Sequence, residues 1–230
     1  MQFLTFIIYS SIEWITMIVI MFALFRFRLR GRLPQMIYLS LFMSFFSYVV
    51  RGEGWGEYAA ILQIFLYVVV VCLLFRVQWL HGTVMAVVGY HTYTVWQGFL
   101  GLLVIYGRIF DASEITYFHP GGRMLAWISV AGPLAASIFL RYKGWGFTFV
   151  QPKSKRKTEW TLHNTIFFAV SVLGCIIFGA VWYFYDYRQM EFFLLFSAIH
   201  LLVLIGMIYL SVKKDKEKES VAKSGETVSG

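Results

Sequence analysis

The chain has 230 residues, of which 59% are hydrophobic, 20% aromatic and only 14% charged. A water-soluble domain carries roughly 25% charged residues. No soluble fold of this length has an interior that could hide so much apolar surface, so a lipid bilayer is expected to be its solvent. The net charge of +8 would point a soluble protein towards nucleic acid. In a membrane protein the placement of the cations carries the information instead, and no nucleic-acid partner is expected.

Charged breaks divide the sequence into seven apolar segments of 17 to 23 residues, at 3–25, 33–50, 58–75, 83–105, 124–140, 165–185 and 191–212. Each is long enough to cross about 30 Å of hydrocarbon as a helix. The expected fold is therefore all-α, a polytopic transmembrane helical bundle of about seven spans. Residues 1–212 form the bundle, and residues 213–230 a charged tail that begins as a helical extension and frays.

The first segment lacks a basic leader and is followed by Arg26, Arg28, Arg30 and Arg32 rather than by a cleavage site. It is read as a retained span and not as a signal peptide. Pro34 suits a first helical turn, where its missing N–H is no loss. Gly132-Pro133 falls inside the fifth segment and predicts a kink there.

Cys72 and Cys175 lie within apolar segments with no CxxC or His/Cys ligand spacing, so they are read as packing residues. Ser171, Cys175 and Gly179 present a small-residue face in the sixth segment. It serves helix packing or, alternatively, dimerisation. Gly98 and Gly101 in the fourth segment read the same way.

With the loop after the first span placed inside, the inner side holds 16 Lys and Arg residues and the outer side only Arg51, Arg108, Arg123 and Arg188. The positive-inside rule then sets the N-terminus outside, the C-terminus in the cytoplasm and an odd number of crossings.

Ionisable groups near the middle of a bilayer are costly, which makes them candidates for function. Glu13 is central in the first segment and continues a polar stripe of Thr5, Tyr9, Glu13 and Thr16 at helical spacing, so it should face other helices. His200 is central in the seventh segment. The fourth offers Tyr90, His91, Thr94 and Gln97, and Gln63 adds an amide in the third. These groups either line a polar pocket or proton relay, or bond the helices to one another with Glu13 paired to His91 or His200. Glu13, His91 and His200 have no HExxH or comparable spacing, so neither a metal nor a cofactor is expected.

The outer loop 106–123 contributes Asp111, Glu114 and His119 as ligand-facing groups or as an ordinary polar connector. The inner loop 141–164 mixes Trp145, Phe147 and Phe149 with the basic run Lys153, Lys155, Arg156 and Lys157. That combination suits anionic lipid headgroups or the docking of a cytoplasmic or membrane protein partner.

Six or seven spans with short loops, the aromatic-rich stretch 63–97 and the exit Val212-Lys213-Lys214-Asp215-Lys216-Glu217 resemble the membrane sensor region of Agr-type peptide-pheromone receptor kinases of Gram-positive bacteria. The resemblance covers residue 3 to about residue 214 and implies a sensor working through a partner. In that family the exit continues into a kinase, whereas here only a short tail follows, so kinase activity is not expected. The alternatives are a small permease or transporter subunit and, third, a membrane-embedded enzyme.

The topology is open to direct measurement. Ser229→Cys in a background lacking Cys72 and Cys175 should react with an impermeant thiol reagent only after the cells are permeabilised. Labelling of intact cells would reverse the orientation.

Overall fold

The computed structural model describes residues 2–53, 55, 58–109, 120–150, 162–184 and 190–226. It contains seven helices among the described residues: α1 Gln2–Leu24, α2 Leu33–Gly52, α3 Ala59–Phe75, α4 Trp79–Tyr106, α5 Pro120–Lys143, α6 Leu162–Phe184 and α7 Met190–Glu226. The first three follow the apolar segments closely. α4 and α5 each begin four residues earlier than expected, α5 at Pro120, which fits a helical N-terminus. α7 runs on past the apolar segment, because the Lys/Glu-rich continuation is itself good helix-forming sequence.

Contacts between helices define their directions. Ser11 bonds Ser44 across α1 and α2 (3.1 Å), and the rings of Phe3 and Tyr48 lie 4.8 Å apart on the same pair, so the two run antiparallel. Trp14 packs on Tyr67 and Phe22 on Phe75, which sets α3 parallel to α1. Tyr9 meets Trp127, and Arg141 donates to the carbonyl of Phe27 (2.8 Å), so α5 is parallel to α1 as well. Ser171 donates to the sulfur of Met207, and Gly174 lies against Val203, placing α6 antiparallel to α7. Successive helices thus alternate in direction, and the bundle has two unlike ends. One gathers the start of α1, the end of α2 and the start of α3. The other, the basic end, gathers Arg26, Arg28, Arg30, Arg32, Arg76, Arg141 and Lys143.

Burial explains the arrangement. Tyr67, Phe22, Ile18, Met21, Met36, Leu39, Met43 and Met85 form an interior from α1 to α4. The outward surface is also apolar, with Phe65, Leu73, Ile138 and Leu202 each about two-thirds exposed. An apolar exterior around a packed interior is what a hydrocarbon solvent selects. Four helices, over Phe3–Leu24, Leu33–Gly52, Met124–Lys143 and Leu194–Lys216, are long and apolar enough to cross a membrane.

α4 is not among those four, for a structural reason. Residues 83–91 of α4 are all buried, and the helix contacts α1, α3, α5, α6 and α7. It is lined by protein rather than lipid, so its Thr, His, Tyr and Gln residues lower its hydropathy at tolerable cost.

The basic end is closed by the segment after α5. Gly146 has φ +138°, and a Cβ there would lie 2.7 Å from the Leu24 carbonyl oxygen, so only glycine lets the chain cross the end of α1 this closely. The next residue, Phe147, then donates its N–H to that carbonyl (2.7 Å). Asp215 of α7 accepts from the Thr148 N–H (2.9 Å) and the Thr148 hydroxyl (2.8 Å), while Lys214 lies over the Phe149 ring.

Close helix approach makes particular glycines sensitive. A Cβ at Gly89 would lie 2.6 Å from the Met21 Cβ, whereas one at Gly206 meets nothing within 4 Å. Gly89→Ala should therefore cost about 1–3 kcal/mol through overpacking. Gly206→Ala should be neutral or stabilising by up to about 1 kcal/mol. Unfolding of both variants in detergent checks the pair.

Candidate functional site

Five helices surround a cavity of ≈ 140 Å³ in the half of the bundle away from the basic end. α1 supplies Ser10, Glu13, Trp14 and Met17. α2 supplies Ser47 and Arg51, and α3 supplies Ala59 and Gln63. α4 contributes Tyr90, Tyr93, Thr94 and Gln97, and α7 contributes Phe196. The levels agree: Arg51 is in the last turn of α2, Ala59 begins α3, and Phe196 is in the second turn of α7. Arg51 is exposed, so the cavity reaches the surface there.

The polar lining is tied into the bundle. Gln97 donates through Nε2 to Glu13 Oε1 (3.3 Å) and to the Tyr93 hydroxyl (3.3 Å), and Tyr93 bonds the hydroxyl of Ser129 on α5 (3.3 Å). A chain of hydrogen bonds thus joins α1, α4 and α5. On the other side Gln63 donates to Ser47 (2.9 Å), joining α3 to α2. Met17 lines the cavity, and one turn deeper along α1 the Met21 sulfur takes the Tyr67 hydroxyl at 3.3 Å. That layer is fully or almost fully buried.

Glu13 faces other helices, as its position in the sequence implies, but its bond to Gln97 replaces the expected pairing with His91 or His200. In the antiparallel α1–α4 contact Glu13 is level with Gln97 and Met21 with Gly89. His91 lies about 9 Å deeper along α4, at 1.5 Å per residue, and on another face. There its ring centroid is 4.9 Å from that of His200, and a Cβ on Gly174 of α6 would come 3.3 Å from its Nε2.

Both imidazoles are wholly buried. The His200 Nδ1 lies 2.7 Å from the Phe196 carbonyl oxygen and, facing an acceptor, must donate to it. Neither ring nitrogen of His91 has a hydrogen-bond partner among the described residues. No three His, Cys, Asp or Glu side chains converge as a metal site among the described residues.

Other expectations divide similarly. Tyr90, Gln63 and Gln97 line the cavity, whereas Tyr9 turns to Trp127 of α5 with ring centroids 5.9 Å apart. Thr16 bonds back to the Ile12 carbonyl of its own helix, and the α1 stripe thus meets α5 at Tyr9 and α4 at Glu13. Phe147 and Phe149 are not the surface anchors expected for a partner or headgroups. Phe149 is buried, and both rings pack on Phe25 within the basic end, because the backbone bond to Leu24 draws the segment inward. Trp145 is exposed. Asp111, Glu114, His119, Lys153, Lys155, Arg156 and Lys157 lie outside the described residues.

Sequence reasoning overlooked Ser47 and the role of Arg51. The signal for the first was Ser40, Ser44 and Ser47 at i, i+4 and i+7 on one face of α2, all buried against neighbours. Arg51 had been counted only as an outer cation.

Comparison of the chain with family models, curated proteins and solved structures finds no match.

The Glu13–Gln97 contact separates charge from hydrogen bonding. Glu13→Gln keeps an acceptor oxygen and should unfold within about 0.5 kcal/mol of the native chain. Glu13→Leu should lose about 1 kcal/mol, the usual size of a polar contact between membrane helices. Comparison of denaturation midpoints in detergent measures both.

Proposed function

We propose that this chain is a multi-pass protein of the cell membrane, with seven crossings and its N-terminus outside, and that it is a sensor or regulator. In this reading the cavity between α1, α2, α3, α4 and α7 receives a small polar ligand from the outer side. The observation that carries the proposal is the cavity itself. It combines a carboxylate, a guanidinium, two amides and several hydroxyls, with the buried side chains of Met21 and Tyr67 deeper in the bundle. A pocket of this kind suits binding. Among the described residues its lining has one carboxylate and neither His nor Cys, which favours binding over acid–base or nucleophilic chemistry.

Transmission would use α7. This helix touches the cavity through Phe196, packs through His200 and Met207, and at the basic end holds Thr148 through Asp215. The 144–150 segment and the start of the tail are therefore one mechanical unit, next to the exposed Trp145. A cytoplasmic or membrane protein partner would read the position of that unit, with anionic lipid contacting the surrounding cations.

Accessibility tests the proposal against transport. Ser47→Cys, with Cys72 and Cys175 replaced by Ala, should be labelled by an impermeant methanethiosulfonate in intact cells and spared in inside-out vesicles. Labelling from both sides would make the cavity an alternating-access site and the protein a transport component. Absence of labelling from either side would remove the cavity as a ligand site.

A further inference from the structure

Arg32 stands at the start of α2 with its guanidinium over two rings, 5.1 Å from the centroid of Phe27 and 5.9 Å from that of Phe75. Both rings are buried and pack on Phe22, so the platform beneath the cation belongs to the interior. A guanidinium has five N–H donors, and this one makes no hydrogen bond or ion pair among the described residues. Arg28, Arg30 and Arg76 are exposed, whereas Arg32 is half-buried.

A half-buried cation without a counter-ion is costly, and its neighbours here add to the cost. Arg76 directly follows Phe75, and Arg141 donates to the carbonyl of Phe27. Among the described side chains the one carboxylate at this end is Asp215, which accepts from Thr148. An anion with several oxygens matches the planar fork of Arg32, and a phosphate can take two of its N–H groups at once.

The surface beside Arg32 indicates what carries the phosphate. Gln63 is level with Ser47. Ten residues further, in opposite directions along the antiparallel pair, Leu73 of α3 is therefore level with Ile37 of α2. Both are exposed, as is Leu33 next to Arg32. At 1.5 Å per residue, this apolar flank begins within about 8 Å of Arg32 along α2. A soluble phosphate or an acidic protein would answer the charge and leave the flank uncovered, whereas a phospholipid covers both.

We propose that Arg32 holds the phosphate of an anionic phospholipid whose chains lie along Ile37 and Leu73. The proposal rests on the reading above, in which anionic lipid meets the basic end, and deepens it. It singles out one saturable site, separate from the outer cavity, among cations that otherwise attract lipid through their summed charge.

Lipid titration of the delipidated full-length chain in detergent, read by native mass spectrometry, tests the site. One phosphatidylglycerol should be retained at a concentration roughly tenfold below that needed for phosphatidylcholine, the effect of one charge-assisted hydrogen bond. Arg32→Gln should remove this preference, and Arg28→Gln, at an exposed cation of the same end, should keep it. On the native chain, which needs no substitution, glycerol 3-phosphate and hexaglutamate should fail to displace the bound lipid. Equal retention of the two lipids, or a preference that Arg28→Gln lowers as much as Arg32→Gln, overturns the site. Displacement by glycerol 3-phosphate or hexaglutamate as readily as by phosphatidylglycerol assigns Arg32 to a soluble anion or an acidic protein and overturns the lipid. A chain that stays in solution when membranes are sedimented overturns the membrane reading itself, and the site with it.

Discussion

A carboxylate inside a bundle of apolar helices needs polar partners, and the bond between Gln97 and Glu13 is the point from which much of this structure follows. Gln97 spends its amide hydrogens on Glu13 and on Tyr93, and Tyr93 reaches Ser129. Three helices that are remote in sequence are thereby held at one level. The register of α1 against α4 that satisfies Glu13 also brings Gly89 against Met21, so polar and apolar contacts demand the same alignment. Agreement of this kind selects one packing from the many that similar apolar helices could adopt.

The central position of α4 has a second consequence. A helix surrounded by protein can carry groups that lipid would reject, and α4 presents different polar residues at different depths. Near one end Tyr93, Thr94 and Gln97 line the cavity. Deeper, His91 meets His200 beneath a glycine of α6. The cavity and the histidine pair are thus separate features of one helix. Between the cavity and the basic end stand Met21, Tyr67 and Met85, all without exposed surface. Among the described residues that layer separates the polar groups of the cavity from those of the basic end. α7 connects the two levels, since it spans from Phe196 to Asp215 as one helix.

At the basic end the chain solves a different problem. The last carbonyls of α1 lack partners within their own helix. The N–H groups of Phe25, Phe27 and Arg26 reach the carbonyls of Met21, Phe22 and Ala23, Phe147 supplies its N–H to Leu24, and Arg141 donates to the carbonyl of Phe27 just beyond the helix. Arg26 and Arg76 take left-handed backbone conformations at or beside helix ends, a cost offset by the favourable interaction of a cation with the C-terminus of a helix. The cations here therefore shape helix ends.

The helical character and the positions of most helices were legible in the linear pattern, because apolar length and charged interruptions are local properties that the bilayer reads directly. So was the inward aim of Glu13, since the cost of a charge in hydrocarbon does not depend on which neighbours are present. The identity of those neighbours was not legible. Whether Glu13 meets Gln97 or a histidine depends on the axial register of α1 against α4, and a stripe of polar residues says nothing about register. The inward turn of Phe147 and Phe149 was equally hidden. An aromatic residue beside a basic run looks the same on a surface as in a core, and the difference came from one backbone bond to Leu24 that Gly146 makes sterically possible. Composition and periodicity determined that this chain is a helical bundle with an apolar exterior. Only tertiary packing decided which polar residues share a cavity, because that depends on the rotation and offset of helices far apart in the chain.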